Sequence, residues 1–264
     1  MAMNQVRVRR ERPAAAAWAI ALAVTMLAVY VLTLGASLPD AVESVSAAPR
    51  VTRLVELEAL EAHCVSMGSW KDEPSARLEA AGYAAQGAAG FVYPMDGAWH
   101  VLGAMVDSAR AAQRVAGKLK AEGRANAEAL EMRVDAVKLR ITAPDRQIDA
   151  IIGADACVRG QMNQLNAVAM QLDRGEIRSD AARTLCAVGA TEAGDAASQL
   201  AAIPGAPENA LCEGLIGAAS GLAEQLNAIS KSESPPAALS GMMRLAAVDA
   251  FLNLKSIREG LIRG

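Results

Sequence analysis

The sequence contains two similar segments, thirty-five positions apart, and each has the pattern of a strand followed by a helix. In the first segment, Gly68 follows a short apolar run, Trp70 comes two residues later, and Asp72 precedes an alanine-rich stretch. The same shift places Gly103 on Gly68 and Asp107 on Asp72. Glycine tolerates backbone conformations that other residues avoid, and aspartate is a favoured N-cap. Two such copies predict a small sheet packed against two helices.

Two further strand-like runs lie between the predicted helices. They cover residues 91–93 and 99–102, and the turn sequence Pro94-Met95-Asp96-Gly97 joins them. A last strand is expected near residues 126–132. The predicted order is therefore strand, helix, strand, strand, helix, strand, which gives a four-stranded βαββαβ sheet with two helices on one face.

These residues resemble the SPOR (sporulation-related repeat) domain family. The resemblance is carried by Gly68-Ser69-Trp70 and, in the second half, by Gly103-Ala104-Met105, each before an alanine-rich helix, and it covers about residues 58–134. The family commonly has glutamine where this chain has Ser66, and a proline-aromatic pair where it has Ala104-Met105. The resemblance implies a domain at residues 58–136 that binds peptidoglycan glycan strands across the sheet face opposite the helices.

Side-chain alternation along the strands predicts which residues that open face presents. Counting back from Gly68 leaves Ser66 outward, and counting back from Gly103 leaves Val101 and Trp99 outward. Trp99 is the favoured candidate because an exposed aromatic ring can stack on a sugar; the alternative is that it covers the bundle or a neighbouring loop. The predicted glycan-binding residues are Trp99, Ser66, Val101, Tyr93 and Ser69.

The amino-terminal region predicts a membrane anchor. Residues 14–34 form an uncharged apolar run of twenty-one residues, and about twenty apolar residues span a bilayer. Four arginines precede the run, whereas Asp40 and Glu43 follow it, which favours a cytoplasmic tail (1–13), a single membrane helix (14–35), a linker (36–57) and an extracytoplasmic body. A cleaved signal peptide is the alternative, and it also exports the body.

Residues 137–264 predict a helical domain. The alternation over residues 137–142 indicates one additional strand. Helical periodicity then predicts four helices separated by short glycine- or proline-containing turns, which suggests an up-down bundle. The expected helices cover about residues 148–172, 179–202, 208–230 and 236–262. Their apolar faces either pack within the molecule or bind a protein partner or a second copy of the chain.

The residue types argue against catalysis and against a bound metal or cofactor. The four cysteines match no zinc spacing, and two histidines exclude a multi-histidine centre. His63 and Cys64 are adjacent in a predicted strand, so they point to opposite faces and cannot form a nucleophile-base pair. The cysteines are expected to be buried thiols, with disulfide pairing as the alternative in an exported body. We therefore expect no enzyme, no metal and no cofactor.

Composition further limits the class of protein. The chain is 53% hydrophobic but only 3% aromatic, which favours helices with small packing residues. Its net charge is -3 and no basic face stands out, so nucleic acid is not an expected partner. Two functions remain: a single-pass membrane protein that binds cell-wall peptidoglycan during bacterial division or sporulation, or a membrane scaffold without glycan affinity whose bundle mediates protein assembly.

Overall fold

The computed structural model of the protein describes residues 49–263. The predicted cytoplasmic tail, the predicted membrane helix and the linker up to residue 48 lie outside the described residues. The elements, in chain order, are β1 (Arg50–Leu57), β2 (Leu60–Trp70), α1 (Glu73–Ala85), β3 (Phe91–Met95), β4 (Ala98–Val106), α2 (Ala109–Ala121), β5 (Glu128–Val134), β6 (Val137–Pro144), α3 (Asp145–Asp173), α4 (Ser179–Ala201), α5 (Ala210–Lys231) and α6 (Pro236–Arg263).

A four-stranded antiparallel sheet forms the centre of the first half, in the order β3-β4-β2-β5. With α1 and α2 as crossovers, this is the split βαββαβ arrangement, so the predicted element order is confirmed. Asp96 and Gly97 connect β3 to β4 with φ angles of 50° and 77°, as a type I′ hairpin turn requires. Both crossover helices pack on one face, as predicted: Ala76 of α1 lies against Val101, and Ala112 of α2 lies against Val65.

The two strand-helix units repeat at thirty-six residues, not at the predicted thirty-five. Helix α1 begins at Glu73 and α2 at Ala109. The N-caps are Asp72, as predicted, and Ser108, so the predicted cap Asp107 is wrong. Further pairs at this spacing share the same environment: Ala76 and Ala112 are buried, Ala80 and Ala116 are buried, and Gly87 and Gly123 have positive φ just beyond each helix.

The pairing of β2 with β4 has two irregularities, and one of them is a β-bulge at Gly103. Val65 pairs with Ala104 and Ser66 with Leu102, so Gly103 has no partner on β2. A Cβ atom at Gly103 would lie 2.5 Å from the sulfur of Met67, so a larger residue there would require the Met67 side chain to move. Because side chains alternate along a strand, the one-residue difference between the predicted and the observed spacing of the copies reverses the predicted faces of β4.

Strand β1 corrects the predicted linker. Residues 50–57 are part of the predicted linker (36–57), but they pair antiparallel with β6 in a separate two-stranded sheet. The extra strand predicted at residues 137–142 is confirmed as β6. The hydroxyl groups of Thr52 and Thr142 lie 2.8 Å apart across this pair. The linker can therefore extend no further than residue 49.

The four predicted bundle helices are confirmed as α3 to α6. Helix α6 is the most deeply placed, because it packs against α3 and α5 on one side and against strands of the four-stranded sheet on the other. Among the described helices, α6 alone is long and apolar enough to cross a membrane, with an 18-residue segment of mean hydropathy 1.2. That segment is 56% buried inside the protein, as in the core helix of a globular domain.

Candidate functional site

Helix α6 covers the sheet face that was predicted to be open. On the side away from α1 and α2, the sheet places Cys64 and Leu102 in the same continuous core as Phe251 and Leu254 of α6. All four side chains are fully buried. The helix contacts each strand of the sheet, from β3 to β5. The prediction that this sheet face is open is therefore wrong, because the face is part of the core.

A buried ion pair fixes the C-terminal half of α6. Arg258 donates to the carboxylate of Asp155 on α3 at 2.7 Å, and it also donates to the backbone carbonyl of Glu58, between β1 and β2. Arg159 donates to the second oxygen of Asp155 at 2.9 Å and bonds the Glu58 side chain. Charged groups are tolerated inside a protein when they are paired and hydrogen-bonded, and both ends of the Arg258 guanidinium meet that condition, whereas its buried Nε has no hydrogen-bond partner within the described residues.

Close backbone contact fixes the N-terminal half of α6 against the end of α1. A Cβ atom at Gly241 would lie 2.8 Å from the carbonyl oxygens of Ala84 and Ala88, so only glycine permits this approach. Arg244, one turn further on, donates to the Gly87 carbonyl and to the carboxylate of Asp173 on α3. The sheet and the bundle are therefore joined at both ends of α6.

The five predicted glycan-binding residues do not form one surface. Val101 is fully buried against α1, and Trp99 is half-buried on the same side, so both face the helices and not the side opposite them. Ser66 is fully buried, and its hydroxyl donates to the Gly68 carbonyl at 2.9 Å. Tyr93 packs against the core that contains α6, whereas Ser69 is exposed.

Two tryptophans form a cross-strand pair that the sequence interpretation did not anticipate. Trp70 of β2 lies directly opposite Trp99 of β4, and both are half-buried beside α1. The Trp70 ring folds back over Gly68, where a Cβ atom would lie 2.8 Å from the ring. Its centroid is 6.5 Å from that of Tyr83. If the two copies are aligned at thirty-six residues, side-chain alternation places Val101 and Trp99 on the side of the sheet that faces α1 and α2.

The cysteine and histidine side chains do not form a reactive site. All four thiols are free, and burial raises the pKa of Cys64 to about 12 and that of Cys186 to about 11. A thiol with such a pKa stays protonated near neutral pH and is a poor nucleophile. His63 is paired with Glu61 at 3.1 Å. Among residues 49–263, no cluster of three or more metal-ligating side chains occurs.

The outer surface of α2 is basic, which corrects the expectation that no basic face exists. Arg110, Arg114 and Lys118 follow one another at successive turns, and all are exposed. Ala112 and Ala116 occupy the opposite face of the helix and contact the sheet. The spacing of four residues between the three cations was the sequence signal for this surface.

Comparison with known proteins found no matching family model, no matching curated protein and no matching solved structure.

Proposed function

We propose that the protein is a single-pass membrane protein of the bacterial envelope with a structural or scaffolding function. In this proposal the SPOR-like unit serves as a folding module, and the helical bundle mediates assembly with a protein partner. The observation that carries the proposal is the position of α6, which occupies the sheet face that a glycan-binding module of this kind would need.

Displacement of α6 by a glycan is energetically unfavourable. It would expose Leu102, Phe251 and Leu254, each of which is fully buried. Exposure of one large apolar side chain costs about 1.5–3 kcal/mol, and the buried charges of Asp155 and Arg258 would also lose their mutual contact. A polar saccharide offers little apolar surface in return, which supports a sheet face permanently committed to the core.

The bundle offers a different surface to a partner. Helix α4 makes its main contacts with α3 and α5, which leaves its outer side free within the described residues. Val188 lies on that side and is 37% exposed. Thr184 and Thr191 are exposed beside it. In this proposal the partner contacts the outer side of α4.

Peptidoglycan binding is the second candidate function, and the paired tryptophans favour it. Trp70 and Trp99 lie side by side at one end of the sheet and remain half-buried. Neighbouring aromatic rings can stack on the apolar faces of a sugar chain. In this alternative the glycan contacts the α1 side of the sheet end and α6 stays in place.

Cosedimentation with purified peptidoglycan sacculi decides between the two functions. The body from Pro49 to Gly264 is compared with its Trp99→Ala variant and with Leu78→Ala, which removes an exposed side chain from α1. No pelleting above background supports the scaffold function. Pelleting that is lost in Trp99→Ala and kept in Leu78→Ala contradicts it and supports the second candidate.

Photocrosslinking then tests the scaffold function directly. A photoreactive amino acid is placed at Val188 in the full chain within its membrane, and a matched probe is placed at the exposed Leu54 of β1. A discrete adduct from Val188 that is absent from Leu54 supports assembly through the bundle. Equal labelling from both positions, or none from either, contradicts it.

A further inference from the structure

The basic surface of α2 points directly away from the sheet. Arg110, Arg114 and Lys118 lie on the side opposite the buried Ala112 and Ala116. Helix α2 contains four cations and no acidic residue in thirteen residues, within a chain whose net charge is -3. Among the described helices, α2 alone carries cations without any carboxylate.

These cations have little compensation inside the protein. Within the described residues, Arg110 and Arg114 form no ion pair, and Lys118 has only Glu122, at 3.8 Å. Like charges four residues apart on a helix repel each other and reduce its stability. An arrangement that is unfavourable for the isolated helix becomes favourable when an anionic surface contacts all three side chains.

The neighbouring crossover helix adds an apolar side chain to the same layer. At the thirty-six-residue spacing, the positions equivalent to Arg110, Arg114 and Lys118 are Pro74, Leu78 and Gly82 of α1. Leu78 is 76% exposed and also points away from the sheet. Because α1 and α2 pack on one face of the sheet, a flat partner on this layer meets both the cations and the leucine.

We infer that the outer layer of α1 and α2 binds the surface of a bilayer that contains anionic phospholipids. Arginine and lysine bind lipid phosphates, and an exposed leucine beside them enters the interface between headgroups and acyl chains. A purely polar polyanion would use the cations and leave Leu78 without a role. The inference rests on the proposed function, because the membrane anchor of that proposal brings the chain to a bilayer. The linker of residues 36–48 spans at most about 45 Å.

Vesicle cosedimentation of residues 49–264 tests this inference without the membrane anchor. The described residues share an extensive core of their own, so the body is used as one folded unit. Vesicles of phosphatidylcholine alone are compared with vesicles that contain equal amounts of phosphatidylcholine and phosphatidylglycerol. Both are tested at low and at physiological salt. Binding is expected only with phosphatidylglycerol, and it is expected to weaken as salt increases.

Three variants assign the binding surface. Combined replacement of Arg110, Arg114 and Lys118 by glutamine is expected to weaken binding about 100-fold, because each cation near an anionic membrane contributes about fivefold. A control with the same charge change replaces three exposed cations outside this layer, Arg140, Arg178 and Lys231, and is expected to bind nearly as the parent does. Leu78→Ser is expected to weaken binding at both salt concentrations.

Three results overturn the inference: no binding to phosphatidylglycerol vesicles at low salt, equal loss in both triple variants, or undiminished binding by Leu78→Ser. Circular dichroism confirms that each variant is folded. A parallel assay with sacculi identifies a wall polymer as the partner if the α2 triple variant loses that binding instead. Membrane fractionation of the full chain tests the anchor separately, so failure of the anchor and failure of the lipid surface give different results.

Discussion

Arg258 of α6 and Asp155 of α3 form an ion pair at 2.7 Å, and their side chains are only 1% and 3% exposed. The same guanidinium donates to the backbone carbonyl of Glu58, two hundred residues earlier in the chain. One side chain therefore joins α6, α3 and the corner between β1 and β2. The pair lies where the sheet meets the bundle, so its loss is expected to affect the whole body.

We predict that Asp155→Ala lowers the free energy of unfolding by about 3–5 kcal/mol, because it leaves the buried Arg258 charge without its carboxylate. The double variant Asp155→Leu with Arg258→Met is expected to be more stable than Asp155→Ala, since no unpaired charge remains. Urea unfolding measures both. Glu58→Ala is the control: its side chain is 72% exposed and its backbone carbonyl remains, so a change below about 1 kcal/mol is expected. Equal effects of Asp155→Ala and Glu58→Ala would contradict the prediction.

We predict that Gly241→Ala separates the start of α6 from the end of α1. The new methyl group would lie 2.8 Å from two carbonyl oxygens of the backbone, and the expected loss of stability is about 1–3 kcal/mol. Gly217 of α5 is the matched control, because nothing lies within 4 Å of its Cβ position. Gly217→Ala is expected to stabilise the protein by about 0.5–1 kcal/mol. Thermal unfolding of both variants shows the opposite signs, and two changes of the same sign would refute the proposed contact.

We predict that Ser108→Ala lowers stability by about 1 kcal/mol, because the hydroxyl group of Ser108 accepts a hydrogen bond from the amide of Ala111 at 3.2 Å. Asp107→Ala is expected to have almost no effect, since α2 uses Ser108 as its N-cap. Chemical denaturation of the two variants compares adjacent positions on one turn. A larger loss of stability in Asp107→Ala than in Ser108→Ala would contradict this prediction and support an alignment of the two copies at thirty-five residues.

We predict that stability falls as the pH rises above 9. Burial raises the pKa of Cys64 to about 12 from the ordinary value of 9.0, so its thiol ionises in the unfolded chain well before it does in the folded protein. The unfolded state therefore loses the proton first and is favoured between the two pKa values. By pH 10.5 this effect amounts to about 2 kcal/mol.

Urea unfolding of the parent and of Cys64→Ala at pH 8 and pH 10.5 isolates that contribution, and the difference between the two pH values is expected to be smaller in the variant. Ser66→Ala provides a control at a buried neighbour that does not titrate in this range, and its pH dependence is expected to match the parent. An unchanged difference in Cys64→Ala would show that other groups dominate.

The helical half of the fold was predictable because its signals are local. Proline and glycine separate the four bundle helices, and the apolar period defines each one between them. The hairpin turn at Asp96 and Gly97 and the cap at Asp72 were found for the same reason. Each of these features depends on residues within one or two turns of chain.

The arrangement of the site was not predictable from the same patterns. The two copies repeat at thirty-six residues instead of thirty-five, and this difference of one residue reversed the expected directions of Trp99 and Val101. The covering of the sheet depends on contacts between strands such as β4 and helix α6, which are far apart in sequence. One signal was present in the sequence: apolar residues occur on more than one side of α6, as expected of a helix packed on two layers.

The placement of α6 affects how the chain folds during its synthesis. Synthesis of the four strands of the sheet is complete once translation reaches Val134, but the helix that covers the second face of the sheet begins only at Pro236. Until then, the apolar side chains of that face are exposed to solvent and to other chains, a state that favours misassembly. A protein whose central helix is synthesised after the elements it packs against depends on a molecular chaperone that covers the nascent sheet, or on rapid completion of the chain.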